Sequence, residues 1–167
     1  MTGLLFVSLV FLLAGGVLAL VFSRSRLWPA CFGVTGAVLG SLSGLAGSIQ
    51  ALADGVFWNY RLAWSLPGGS LNVGMDPLSA FFLFTLFLLT GLTSIFGHGY
   101  LAAHTGHRNP GISWFFFNLL AASMAVVFMA RNALLFLIAW EVMAVSSFFL
   151  VTFEHEKPQV RGAGFSY

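Results

Sequence analysis

Glu141 stands in Phe136-Leu-Ile-Ala-Trp-Glu-Val-Met-Ala-Val145, with no other charge between Asn132 and Phe153. A carboxylate this far into an apolar run of spanning length lies near the middle of a bilayer. Acidic residues there cost roughly 2.5–3.5 kcal/mol to insert, and by default they mark an ion or proton pathway. Trp140 precedes the carboxylate, and Ser146 and Ser147 follow it in the same run. The two hydroxyls could hold water near Glu141, although serines in such helices mostly bond their own backbone carbonyls.

Glu141 has two readings. In the plainer one it is a neutral acid that hydrogen-bonds a neighbouring helix and only fixes packing. In the functional one it faces a Lys or Arg on another helix, so that its proton occupancy responds to the partner's position. All seven Lys and Arg residues lie in loops or at helix ends. The nearest, Arg131, is ten residues away, roughly 15 Å along a helix and too far for direct contact. The partner is therefore expected from another chain or from further sequence.

The elements that must hold this carboxylate follow from composition. The chain has 167 residues, 59% hydrophobic and 7% charged. A soluble domain carries about 25% charged residues, so the class is all-α: a polytopic transmembrane helical bundle in the lipid bilayer. Net charge is +2 with no Lys/Arg cluster, which leaves nucleic-acid binding without support. The single cysteine, Cys31, has no partner for an internal disulfide and no metal-ligand spacing around it. It reads as a small packed residue.

About 20 apolar residues cross a hydrocarbon core. Five segments qualify: residues 4–22, 27–53, 77–96, 112–130 and 132–153. The first lacks the basic n-region of a signal peptide, so it reads as a retained helix with its N-terminus outside. Inside segments then hold Arg24, Arg26, Arg108, Lys157 and Arg161, against Arg61 and Arg131 outside. That distribution obeys the positive-inside rule. Trp28, Trp58, Tyr60, Trp64, Tyr100 and Trp114 fall near span ends, as an aromatic belt would, whereas Trp140 lies deep.

The second span carries Gly33, Gly36, Gly40, Gly44 and Gly47. Small residues at this spacing let another helix approach closely, and the face reads as helix packing rather than a substrate groove. Between spans two and three, the loop 54–76 contains Pro67-Gly68, which suits a type II turn. A short external β-hairpin is expected there. Asp76-Pro77 then reads as a helix start, with Asp76 as the N-cap and Pro77 in the first position.

His98, His104 and His107 read as solvated loop histidines between spans three and four. Glu154-His-Glu-Lys157 reads as a solvated boundary or a docking site for a cytoplasmic partner. Pro158 stops the fifth helix or starts the next. The closing Val160-Arg-Gly-Ala-Gly-Phe-Ser-Tyr167 resembles the first turns of a sixth helix.

Leu135-Phe-Leu-Ile-Ala-Trp-Glu-Val-Met-Ala-Val-Ser-Ser147 resembles the Trp-Glu helix of antiporter-like membrane subunits. These occur in respiratory complex I, Mrp-type sodium/proton antiporters and membrane-bound NiFe hydrogenases. Val73-Gly-Met-Asp-Pro-Leu-Ser-Ala-Phe-Phe82 is similar to the segment that opens helix three in that family. The Trp64 to Pro67 turn fits as well. Leu150-Val-Thr-Phe-Glu-His-Glu-Lys157 is most similar to the B-type membrane component of hydrogenase-4 and formate hydrogenlyase complexes.

The resemblance implies a proton half-channel built from inverted helical repeats. In it the glutamate of helix five faces a lysine of helix seven. Glu141 matches the glutamate, and the lysine has no counterpart up to Tyr167. Residues 1–110 would be the N-terminal three-helix region, and 111–167 the first two helices of a truncated repeat. The implied function is the N-terminal part of a proton-translocating subunit in the cell (inner) membrane. It would couple to redox chemistry in a hydrogenase or NADH-quinone oxidoreductase-like complex.

No cofactor is expected in this chain. A NiFe centre, Fe–S clusters or quinone would sit in partner subunits, including a cytoplasmic redox arm. The alternatives are a Mrp-type Na+/H+ antiporter subunit and a non-transporting membrane anchor or assembly fragment.

Overall fold

The computed structural model describes residues 2–25, 27–55, 57–63, 70–104 and 110–152. Several readings lie outside these residues: Trp64 and the Pro67-Gly68 turn, Arg26, His107, Arg108, the 154–157 charge run, Pro158, Arg161 and the closing segment from Val160.

Five helices and one hairpin follow in order: α1 Thr2–Val21, α2 Trp28–Asp54, β1 Trp58–Ala63, β2 Ser70–Met75, α3 Pro77–His104, α4 Pro110–Met129 and α5 Ala133–Val151. All five helices contain a stretch long and apolar enough to cross a membrane. Exposed Val10, Val21, Leu78, Leu89 and Leu92 cover the outside, as they can when the surrounding solvent is lipid.

Four of the expected spans match these helices to within about two residues at each end, a normal fraying margin. The third does not. α3 runs on from Phe96 to His104, so His98 and His104 are helical rather than loop residues. No proline interrupts this stretch, and isolated glycines such as Gly97 and Gly99 weaken a helix without ending it. His98 is exposed.

The interior is built on α2, which packs against α1, α3 and α4. Its glycine face makes this possible. A Cβ added at Gly36 would stand 2.6 Å from the Gly15 Cα of α1, and one at Gly33 2.5 Å from the Trp114 side chain of α4. At Gly44 it would run into the Phe87 ring of α3. Each of these three helices thus seats a group where α2 has no side chain. Gly55, at φ 60°, ends α2 in the left-handed conformation that glycine adopts without strain.

Several buried hydroxyls turn back on their own helices. Ser8 donates to Leu5 O at 2.7 Å and Ser48 to Gly44 O at 2.8 Å. Asn118, fully buried in α4, crosses to α2 by donating to Gly33 O at 3.1 Å. In a dry interior such bonds replace those that water would supply.

The expected hairpin is present. β1 and β2 pair antiparallel from Trp58↔Met75 to Ala63↔Ser70. It lies at the end of the bundle where α2 ends and α3 begins. The Trp58 ring lies 6.5 Å from that of Phe6, near the start of α1. β2 also forms a bridge between Val73 and Ala130, in the link from α4 to α5.

Candidate functional site

α5 begins with Asn132, whose Oδ1 accepts the Leu134 N–H at 2.8 Å. The helix packs chiefly on α4. Its buried residues are Ala139 and Ser146, spaced seven apart and therefore on one side. Phe149 adds a stacked ring contact, 4.5 Å from Phe116 of α4.

Glu141 is eight residues past Ala133, about 12 Å into the helix. At about 100° per residue it stands roughly 140–160° around the helix from Ala139 and Ser146. It is exposed, as are Leu134, Leu137 and Val145 on the same face. Among the described residues, Glu141 has no hydrogen bond or ion pair. The carboxylate is thus presented midway along the face of α5 turned away from α4.

The residues flanking Glu141 in sequence are not gathered around it. Trp140 is half exposed, and its ring meets Phe136 edge-on at 5.5 Å. The Ser146 hydroxyl donates to Val142 O at 2.6 Å on the opposite, α4-facing side. The Ser147 hydroxyl donates to Ala144 O at 2.9 Å. Neither serine stands beside the carboxylate.

Asp76 lies where α3 starts. Its Oδ1 accepts the Ser79 N–H at 2.7 Å, closing the first turn. Its Oδ2 lies 2.9 Å from Arg131 Nη2. The same guanidinium nitrogen donates to Ser79 Oγ at 3.1 Å. The Arg131 backbone N–H donates to Asn72 O at 2.8 Å. Gly74 lies directly under the Arg131 side chain, because a Cβ there would stand 2.9 Å from Arg131 Cγ.

The Ser79 backbone N–H is the main reason the Asp76 carboxyl is held below its ordinary range. Partial burial opposes it, and the Ser79 hydroxyl and the Arg131 guanidinium reinforce it. Sequence reading did not find Arg131 as the partner of Asp76. The two are 55 residues apart in the chain, and the pairing of β2 with the link between α4 and α5 brings them together. Gly74 two residues before Asp76 was the one available signal for a close approach there.

Among the described residues no group of three His, Cys, Asp or Glu side chains could hold a metal ion.

Five membrane-length helices among the described residues, with a carboxylate midway along α5, make this a multi-pass membrane protein. Its relatives are specific. The chain is 31% identical over 159 residues to hydrogenase-4 component B of Escherichia coli, covering 95% of this chain and 23% of that protein. It is 30% identical over 138 residues to NADH-quinone oxidoreductase subunit L of Mycobacterium tuberculosis, covering 80% of this chain and 20% of that protein. No family model matches. The fold is also that of a chain in the membrane-bound sulfane sulfur reductase, an archaeal respiratory membrane complex. That match has a TM-score of 0.67 and 23% identity, and it covers 86% of this chain and 22% of that one. The chain is a relative of the antiporter-like membrane subunits, and spans about a fifth of the length of the curated relatives it matches.

Proposed function

We propose that this chain forms the N-terminal part of a proton-translocating subunit of a membrane-bound hydrogenase or NADH-quinone oxidoreductase-like complex. The observation that carries the reading is the similarity to hydrogenase-4 component B, which extends over nearly the whole chain and includes the helix of Glu141. The relatives' names speak of redox complexes, while this chain offers helices and a carboxylate. Its part is therefore proton movement. The NiFe centre, Fe–S clusters or quinone belong to partner subunits, and a cytoplasmic redox arm supplies the driving reaction.

Glu141 is the working group. On the open face of α5 it pairs with a cationic residue of a neighbouring helix outside the described residues. In a medium of low dielectric, that partner's distance controls whether the carboxylate keeps its proton. Movement of the cation toward or away from Glu141 then releases or takes up the proton.

The membrane is the cell (inner) membrane, with the N-terminus outside. The five-to-two excess of Lys and Arg on the inner side supports this orientation. The hairpin then lies on the outer surface beside the start of α1.

The test is Glu141→Gln in the native complex, with redox-driven proton uptake measured in membrane vesicles. Uptake falls while redox turnover continues. Unchanged uptake overturns the role of Glu141. Failure of the chain to co-purify with redox subunits overturns the complex assignment.

A further inference from the structure

We infer that Arg131 is a positioning residue for Glu141, setting the height and rotation at which α5 presents its carboxylate. This rests on the reading of Glu141 given above.

Among the described residues α5 has one main packing partner. It packs chiefly on α4, and of its side chains only Ala139 and Ser146 are buried. One packed side leaves a helix free to slide and turn along its partner. A slip of one residue at its start would rotate Glu141 by about 100° and shift it by about 1.5 Å. That is enough to carry the carboxylate off the open face.

Arg131 opposes that slip through two elements. Its backbone N–H is bound to Asn72 O at 2.8 Å, which fixes the link to strand β2. Its guanidinium meets Asp76 at 2.9 Å and Ser79 Oγ at 3.1 Å, which fixes it to the first turn of α3. That backbone bond is part of the Val73–Ala130 bridge. Asn132 then starts the helix by capping Leu134. The start of α5 is thus attached to β2 and α3, two elements outside its own packing surface. Gly74 keeps the path of the Arg131 side chain clear.

An ion pair at this depth of exposure contributes little to overall stability. Placement suits it better, because one guanidinium nitrogen, Nη2, meets Asp76 and Ser79 at once.

The experiment compares Arg131→Gln, Arg131→Lys, Glu141→Gln and the Arg131→Gln/Glu141→Gln double variant in the native complex in vesicles. Two quantities are read. One is protons taken up per redox turnover. The other is the infrared carbonyl band of Glu141, identified by its loss in Glu141→Gln.

The expected result for Arg131→Gln is a shifted band and proton uptake lowered about 2- to 30-fold, with redox turnover retained. Arg131→Lys recovers part of the loss, and the double variant is no worse than Glu141→Gln alone. An unchanged band and unchanged uptake in Arg131→Gln, with Glu141→Gln impaired, overturn the positioning role only. Losses that multiply in the double variant also overturn it, because Arg131 would then act independently of Glu141. If Glu141→Gln alone leaves uptake unchanged, the functional reading of Glu141 fails, and the band decides positioning by itself. Should Arg131→Gln not assemble, Ser79→Ala removes the hydroxyl contacts of the latch and leaves the Asp76–Arg131 pair. A band shift in that variant then supports the positioning role, and an unmoved band overturns it.

Discussion

Arg131 Nη2 lies 2.9 Å from Asp76 Oδ2, so that the residue preceding the N-cap of α5 is tied to the N-cap of α3. The carboxylate does two tasks at once. One oxygen caps α3 through the Ser79 N–H, and the other holds the guanidinium. Substitutions at this position can therefore separate the tasks.

Asp76→Asn keeps a good N-cap and loses the charge, because Asn caps about as well as Asp. It is expected to cost about 0.5–1 kcal/mol, the range of a partly exposed pair. Asp76→Ala loses cap and pair together and is expected to cost about 1–3 kcal/mol. Thermal or denaturant unfolding of the detergent-solubilised protein checks the order. Equal losses would mean that the cap contributes nothing, and no loss in Asp76→Asn would mean that the pair contributes nothing.

The pair also has a pH signature. The folded-state carboxyl of Asp76 titrates below its ordinary value. A group depressed in this way stabilises the folded state above its unfolded-state pKa, about 3.9. That contribution disappears as pH falls through the lower folded-state value. The unfolding midpoints of the native chain and Asp76→Asn should differ by a constant amount from about pH 7 to pH 5, and converge below about pH 4. A gap that widens in acid would contradict the sign.

Gly36→Ala should be severe for its size. The added methyl would stand 2.6 Å from the Gly15 Cα, and backbone cannot move aside as a side-chain tip can. A cost of about 1–3 kcal/mol is expected from forced separation of α1 and α2. Gly3→Ala, with nothing within 4 Å of the new Cβ, serves as the control. Disulfide trapping between cysteines placed on α1 and α2 should slow in the first variant and not in the second.

Much of this architecture is legible in the residues themselves. Apolar runs of spanning length mark all five helices, because lipid tolerates little else. Asp76-Pro77 marks where α3 starts, and the turn residues of the loop 54–76 mark a hairpin. The glycines of α2 mark where helices come close, as Gly15, Trp114 and Phe87 then show.

Less could be read where the answer depends on tertiary contacts. The far end of α3 carries no stop signal before His104, so hydropathy alone ended it early at Phe96. Ser146 and Ser147 are near Glu141 in sequence but not in space, because helical phase turns them toward α4 and the helix backbone. The partnership of Arg131 with Asp76 depends on how β2 meets the link between α4 and α5, which no local pattern records. Glu141 was legible as a costly mid-span charge. Its placement on the face away from α4 required the packing of α5.

The most direct measurement is proton uptake per redox turnover in vesicles carrying the native complex with Glu141→Gln. The glutamine keeps the shape and hydrogen-bonding capacity of the side chain and removes its exchangeable charge. Uptake should fall several-fold, about 10-fold for a lost interaction of roughly 1.4 kcal/mol, with electron transfer continuing. Native uptake in that variant, with the chain present in normal amount, would contradict the account and leave Glu141 a packing residue.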